Sequence, residues 1–238
     1  SIATMAIGLG VVGLVSLVLL DKSMGRASFK PKFVDLFSKS QRINLLAAAR
    51  LFLFGSRDVW FVVALPVFLQ LELGWSAVSV GSFLAAWIIG YGVAQALAPN
   101  VTGLSNSEVP DGRSALRWAL ALAVIPAVMA VGLHKGVNSE VVLIFGLMLF
   151  AVVFAMNSAV HSFLVVSYAN SDGVSLDVGF YYMANAAGRL LGTVCSGWIY
   201  QAYGLSVCLT LSAVFIGCVL VISYALPRRH GNPSMTAD

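Results

Sequence analysis

An all-helical membrane protein with seven spanning helices is the fold class this sequence predicts, and three observations predict it. Of its 238 residues 59% are hydrophobic and 10% are charged, whereas about 25% charged is usual for soluble domains. Mean hydropathy is +0.91, far more apolar surface than a water-soluble shell covers. Finally, the apolar residues gather into stretches of spanning length, since a hydrocarbon core of about 30 Å needs roughly 20 apolar residues as a helix.

Seven such stretches occur in order: 2–20, 45–71, 75–98, 115–133, 140–168, 176–202 and 205–226. The first lacks a basic leader and a small-residue cleavage site, so it reads as a span and not as a signal peptide. Together with Ser1 in place of an initiator methionine, it gives the expectation that earlier spans precede it. The segment 21–44 is basic, and its Phe33, Leu36 and Phe37 fall near helical spacing. It fits either an interfacial helix or a solvated connector. Glu72-Leu-Gly74, the polar stretch 99–114, His134-Lys-Gly136, Asn170-Ser-Asp-Gly173 and Tyr203-Gly204 separate the remaining spans.

Charge fixes the sides. Alternate connections must lie on alternate faces, and Lys and Arg favour the cytoplasmic one. Segments 21–44, 99–114, 169–175 and the tail hold Lys22, Arg26, Lys30, Lys32, Lys39, Arg42, Arg113, Arg228 and Arg229, with Arg117 at the head of its helix. The opposite set holds Lys135. Loop 21–44 and the C-terminus are therefore expected in the cytoplasm and the spans in the plasma (inner) membrane. The organisation that follows is 1–20 as a lone helix, 21–44 as a basic loop, 45–226 as a six-helix body and 227–238 as a tail. The net charge of +4 belongs to these loops, and no nucleic-acid partner is expected.

Few charges remain inside: Arg50, Arg57, Asp58 and Arg189, with His161 as a titratable addition. Each Arg or Asp at a helix centre costs about 2.5–3.5 kcal/mol on insertion scales, so such residues mark a polar interior and a functional site. Arg50 and Arg57 are seven apart and share a helix face, whereas Asp58 is rotated by about 100°. Arg189 follows Asn185 and Tyr181 on one side of its helix, beside Gly188 and Gly192 in a GxxxG pattern that permits close helix approach. Asn157 and His161 form an i, i+4 pair, and Trp87, Tyr91 and Gln95 recur at the same spacing.

Two readings fit this set. Arg57 and Asp58, or Asp58 and Arg189, can form an interhelical ion-pair clamp. Alternatively, Arg57, Arg189, Arg50, Asn185 and Tyr181 bind a small anionic solute, with Asp58 and His161 carrying protons. Guanidinium groups suit phosphate and carboxylate oxygens through paired hydrogen bonds, and three arginines against one aspartate leave a cationic interior. Asn157 with His161 and the Trp87 stripe have packing readings as well. Met148, Met156 and Met183 are expected in the core, and Cys195, Cys208 and Cys218 as small hydrophobes.

Six spans after a long basic cytoplasmic loop resemble the second half of a major facilitator superfamily carrier, whose two six-helix halves are related by an axis along the membrane normal. On this likeness the chain is equivalent to spans 6–12 of twelve, and its partner is the N-terminal half of the same carrier. Gly81, Gly90, Gly92, Pro66 and Pro126 suit helices that rock. "NLLAAARLFLFGSRDVWFVVALPVFL" and "GFYYMANAAGRLLGTVCSGWIYQAYG" are similar to stretches of the arsenical-resistance efflux permeases of the ArsJ type. That likeness implies export of the organoarsenical 1-arseno-3-phosphoglycerate and a functional link to a glyceraldehyde-3-phosphate dehydrogenase. Of the superfamily's loop motif only Asp111-Gly112-Arg113 is echoed in "APNVTGLSNSEVPDGRSALRW", so no gate is assigned. The alternative within carriers is export of a sugar phosphate, an organic anion or a drug.

Other classes fit less well. An intramembrane enzyme would show a nucleophile elbow or a zinc motif, neither of which occurs, and no cofactor or metal is expected. A seven-helix receptor matches the topology, but intramembrane arginines argue against it, and no span carries a lysine for a retinal Schiff base.

Overall fold

The computed structural model describes residues 2–19, 40–102, 110–169 and 174–227. Those residues form seven helices and no strand: α1 Ile2–Leu19, α2 Gln41–Phe61, α3 Ala64–Leu71, α4 Ala77–Val101, α5 Gly112–His134, α6 Ser139–Tyr168 and α7 Val174–Tyr224. The chain divides into two units, within residues 1–36 and 37–238. The first is represented by α1, whose described side chains are exposed. The second contains α2 to α7. Lys22, Arg26, Lys30, Lys32, Lys39, Arg228 and Arg229, the interfacial stretch around Phe33, Leu36 and Phe37, and the Asn170–Gly173 connection lie outside the described residues.

Among the described residues five helical segments are long and apolar enough to cross a membrane: Gln41–Leu71, Ala77–Val101, Gly112–His134, Ser139–Tyr168 and Val174–Tyr224. The sequence predicts seven, and the difference lies in two places. In α1 the described apolar stretch Ala6–Leu19 is shorter than the other five segments. In α7 two expected spans run on as one 51-residue element interrupted at Gly204.

That interruption is sharp. Gly204 has φ 78° and ψ −179°, a backbone open to glycine and closed to nearly every residue with a Cβ. Around it the Cys208 thiol comes 3.9 Å from the Ser196 carbonyl, twelve residues back; a continuous helix would hold them about 18 Å apart. The chain therefore turns back on itself, and α7 has two arms. The other expected breaks coincide with real helix ends. Gly74 and Gly136 take positive φ (69° and 71°), and Ser76 and Asn138 cap α4 and α6 by accepting from Ser79 N and Val141 N. Asp111 caps α5, its carboxylate accepting from Arg113 N at 2.9 Å and Ser114 N at 3.2 Å. That capping duty accounts for the Asp-Gly-Arg sequence locally.

Within Gln41–Leu71 the helix breaks at Val62–Val63. Pro66 lacks an amide hydrogen and its ring crowds the carbonyl four residues back, which is that of Val62. The Ala64 amide is caught by Ser196 Oγ of α7 at 3.1 Å, so the interruption leaves no orphan there. The helix also starts at Gln41, four residues before the expected boundary of the basic loop.

The centre of the second unit is the crossing of α2 with the first arm of α7. Gly55, Gly188 and Gly192 make it. A Cβ on Gly188 would fall on the carbonyl of Leu51, and one on Gly192 would sit 2.6 Å from the carbonyl of Gly55. Backbone therefore meets backbone, as small residues permit between membrane helices. Around this crossing Leu53, Val59, Trp60, Phe150, Phe154, Leu209 and Ile216 are buried. Met156 joins them, but Met148 and Met183 do not: they are 62% and 41% exposed. In a bilayer an outward apolar side chain meets hydrocarbon at no hydrophobic cost, so composition alone does not say which methionines turn inward.

Candidate functional site: an arginine-aspartate cluster between helices

Two α2 arginines one heptad apart and one α7 arginine define the site. Asp58, 1% exposed, is held on both sides. Arg57 Nε donates to its Oδ1 at 2.6 Å and Arg189 Nε donates to its Oδ2 at 3.0 Å. The glycine crossing makes the second bond possible, because a Cβ on Gly192 would sit 3.1 Å from the Asp58 Cβ. Burial is uneven: the Arg57 side chain is 12% exposed and that of Arg189 54%. One end of the cluster is sealed and the other is open.

Arg50 is placed differently. It is 4% exposed, and its Nη1 donates to the Ser158 carbonyl at 3.2 Å and to Ser158 Oγ at 3.1 Å. Its guanidinium lies 4.1 Å from the Phe54 ring centre and 4.9 Å from that of Tyr181. Arg57 reaches the same Phe54 ring at 5.2 Å and Phe154 at 5.5 Å. Phe54, four residues after Arg50 and three before Arg57, is thus contacted by both cations. This is the shared face that the heptad spacing predicts. Among the described residues no carboxylate lies within ion-pair distance of Arg50; both ion pairs go to Asp58.

The remaining expected residues divide between these two places. Tyr181 is fully buried against Arg50. Asn185, one turn before Arg189, is half-buried with its Oδ1 unpartnered. Asn157 and His161 are fully buried, and all four of their side-chain polar atoms lack a hydrogen-bond partner, so they do not bond each other. Trp87 donates from Nε1 to the Leu147 carbonyl at 2.9 Å and stacks on Tyr91 at 5.7 Å, joining α4 to α6 as a packing contact. The three cysteines are free thiols.

Sequence reasoning missed Phe54, Ser158 and Ser196. Phe54 was open to discovery from its i+4 and i−3 positions between two arginines. The serines carry no such signal, because a lone Ser in an apolar run is common. Asp177, buried in the first turn of α7, was also passed over. An acid there complements the positive helix end.

Fold and site together define an all-helical protein compatible with a membrane, with a cationic cluster between its helices that is open at one end. No protein-family model matches the chain, and no curated protein matches it.

Proposed function

We propose that the protein is a membrane carrier for a small anionic solute, built as spans 6–12 of a major facilitator type of transporter. In this reading α1 is a span, and each arm of α7 crosses the bilayer once. A straight 51-residue helix would be about 77 Å long, more than twice the hydrocarbon thickness. The positive-inside count places loop 21–44 and the tail in the cytoplasm. The particular solute is the organoarsenical 1-arseno-3-phosphoglycerate, supplied by a glyceraldehyde-3-phosphate dehydrogenase; that choice rests on the resemblance to ArsJ-type permeases.

The observation that carries the reading is the sharing of Asp58 by two arginines, one of them half exposed. With Asp58 ionised, Arg50, Arg57 and Arg189 leave the cluster two positive charges in excess. An arriving oxyanion competes with Asp58 for Arg189 and Arg57, with Asn185 beside them as a further polar contact. In the carrier reading Asp58 and His161 are the candidates for coupling that exchange to a proton.

The geometry also favours a second reading. Both Asp58 oxygens are already engaged, as a static clamp between α2 and α7 requires. One experiment separates the two. Cells lacking arsenic exporters would express the protein with its N-terminal partner half, with and without the dehydrogenase, as wild type and as Arg189→Gln. Arsenate tolerance that needs the dehydrogenase and is lost in a normally expressed Arg189→Gln supports the carrier. No protection from the well-expressed wild type removes the arsenical assignment. Full protection by Arg189→Gln removes the anion role and leaves the clamp.

A further inference from the structure

The outer face of α5 carries two cations that the central cluster does not use. Arg113, Arg117, Leu120, Val124, Val128 and Val131 are all exposed. At 100° per residue the six fall within about 80° of arc, so they form one straight stripe along the helix. Ala115, Ala119, Leu122, Ile125 and Met129 lie on the opposite face and are buried, where α5 packs on α6 and α7. The charges stand together at one end of the stripe, and the rest of it is aliphatic.

The helix itself has no need of the pair. Residues one turn apart have Cβ atoms about 5–6 Å from each other, and like charges at that spacing repel. Among the described residues no carboxylate lies within ion-pair distance of Arg113 or Arg117; both ion pairs go to Asp58. Asp111, two residues before Arg113, gives its Oδ1 to the backbone amides of Arg113 and Ser114. An anion shared by the two guanidinium groups would turn their repulsion into attraction.

The aliphatic row narrows the choice of anion. From Arg117 to Val131 the stripe runs about 21 Å, more than the roughly 15 Å depth of one leaflet. A soluble anion would use the arginines and leave this row without a role. A partner helix would pack best on small residues, and the stripe has none. One molecule matches both parts: a phosphate for the two guanidinium forks, with a hydrocarbon chain attached.

We infer that the outer face of α5 is a binding site for one anionic phospholipid. Arg113 and Arg117 hold the headgroup phosphate, and an acyl chain lies along Leu120, Val124 and Val128. In the positive-inside reading this end faces the cytoplasmic leaflet, whose anionic lipids attract basic residues. The site presupposes that the chain is a membrane protein and is independent of the solute it carries.

The test begins by washing membranes that contain the expressed protein with alkaline carbonate. A chain that washes off would overturn the membrane reading, and the lipid site with it. The retained protein is then purified into nanodiscs of phosphatidylcholine and phosphatidylglycerol, and its bound lipid is counted by native mass spectrometry. One phosphatidylglycerol per chain is expected, enriched about tenfold over its share of the bilayer, with a melting temperature that rises saturably as that share grows. Arg113→Gln/Arg117→Gln, both on the exposed face, is expected to lose the enrichment and the rise. Arg42→Gln/Lys135→Gln removes the same charge from other exposed positions and is expected to keep both. Soluble glycerol phosphate is expected not to displace the lipid. Retained protein with no enrichment, or equal enrichment in Arg113→Gln/Arg117→Gln, would overturn the site and leave the membrane reading standing. Displacement by glycerol phosphate would show a site for the headgroup alone and overturn the lipid assignment.

Discussion

Arg57 and Arg50 occupy the same helix, the same face and the same apolar setting, and both touch Phe54, yet their charges are handled in opposite ways. Arg57 has a carboxylate at 2.6 Å; Arg50 has a serine. The contrast follows from what α2 crosses at each level. At Asp58 it meets the glycine face of α7, where backbones approach closely enough for Arg189 to reach across. One heptad earlier it faces α6, which offers Ser158, Asn157 and His161 but no acid. Burial of a charge does not define its role. The neighbouring helix does, by supplying a counter-ion or withholding one.

The strongest way to break the contrast is to take the counter-ion from Arg57. Asp58→Ala leaves two arginines facing each other at the crossing, one of them 12% exposed. Removing one partner of a buried pair costs about 3–5 kcal/mol, because an uncompensated charge stays behind. A folded yield in detergent well below wild type is expected, with partial recovery in Asp58→Ala/Arg57→Met, where the stranded buried cation is also removed. Equal yields for Asp58→Ala and wild type would mean that Asp58 does not hold these arginines.

Next in size is the contact that brings Arg189 within reach. Gly188→Ala places a methyl on the backbone carbonyl of Leu51, which has no rotamer to move aside, so the helices must separate. Forced overpacking costs about 1–3 kcal/mol, and the upper end applies here. Thermal unfolding in detergent would show it, whereas Gly197→Ala, with open space around its Cβ position, should leave the melting temperature nearly unchanged.

Much of this architecture was legible beforehand, for reasons that stop at the helix surface. Gly74, Gly136 and Gly204 announced breaks because few other residues accept their backbone angles. The 3.6-residue period put Arg50 and Arg57 on one face, and the cost of intramembrane charge marked Asp58 and Arg189. Which helix faces which is a matter of register, and no local rule supplies it. Hence Ser158 and Ser196 were invisible, the partners of Asp58 were left open between two readings, and Met148 and Met183 were placed inside. The break before Ala64 had a written cause in Pro66, but its repair by Ser196, 132 residues away, had none.

The contrast sharpens when the two α2 arginines receive the same replacement. Arg57→Met removes a hydrogen bond to a buried carboxylate, a loss of about 2 kcal/mol, although Asp58 keeps Arg189. Arg50→Met exchanges an uncompensated buried cation for an apolar chain of similar length, which is often neutral or stabilising. A clear drop in melting temperature for Arg57→Met and none for Arg50→Met is the expected pattern. The reverse order would show that Ser158 and two aromatic rings compensate a guanidinium better than Asp58 does.

The smallest effect on stability belongs to Arg189, and there the carrier and the clamp divide most cleanly. Its side chain is 54% exposed; in the carrier reading that end opens on water, which screens its bond to Asp58 to about 0.5 kcal/mol. Arg57, better buried, still neutralises the carboxylate when Arg189 is gone. Arg189→Gln should therefore unfold within a degree or two of wild type. If Arg189 serves only to clamp α2 to α7, so mild a loss predicts an equally mild phenotype. A carrier that hands its solute from an exposed guanidinium to a sealed one predicts a large fall in anion uptake by proteoliposomes of the complete carrier, with stability intact. Measuring both quantities on one preparation decides whether the open end of the cluster is a fastening or an entrance.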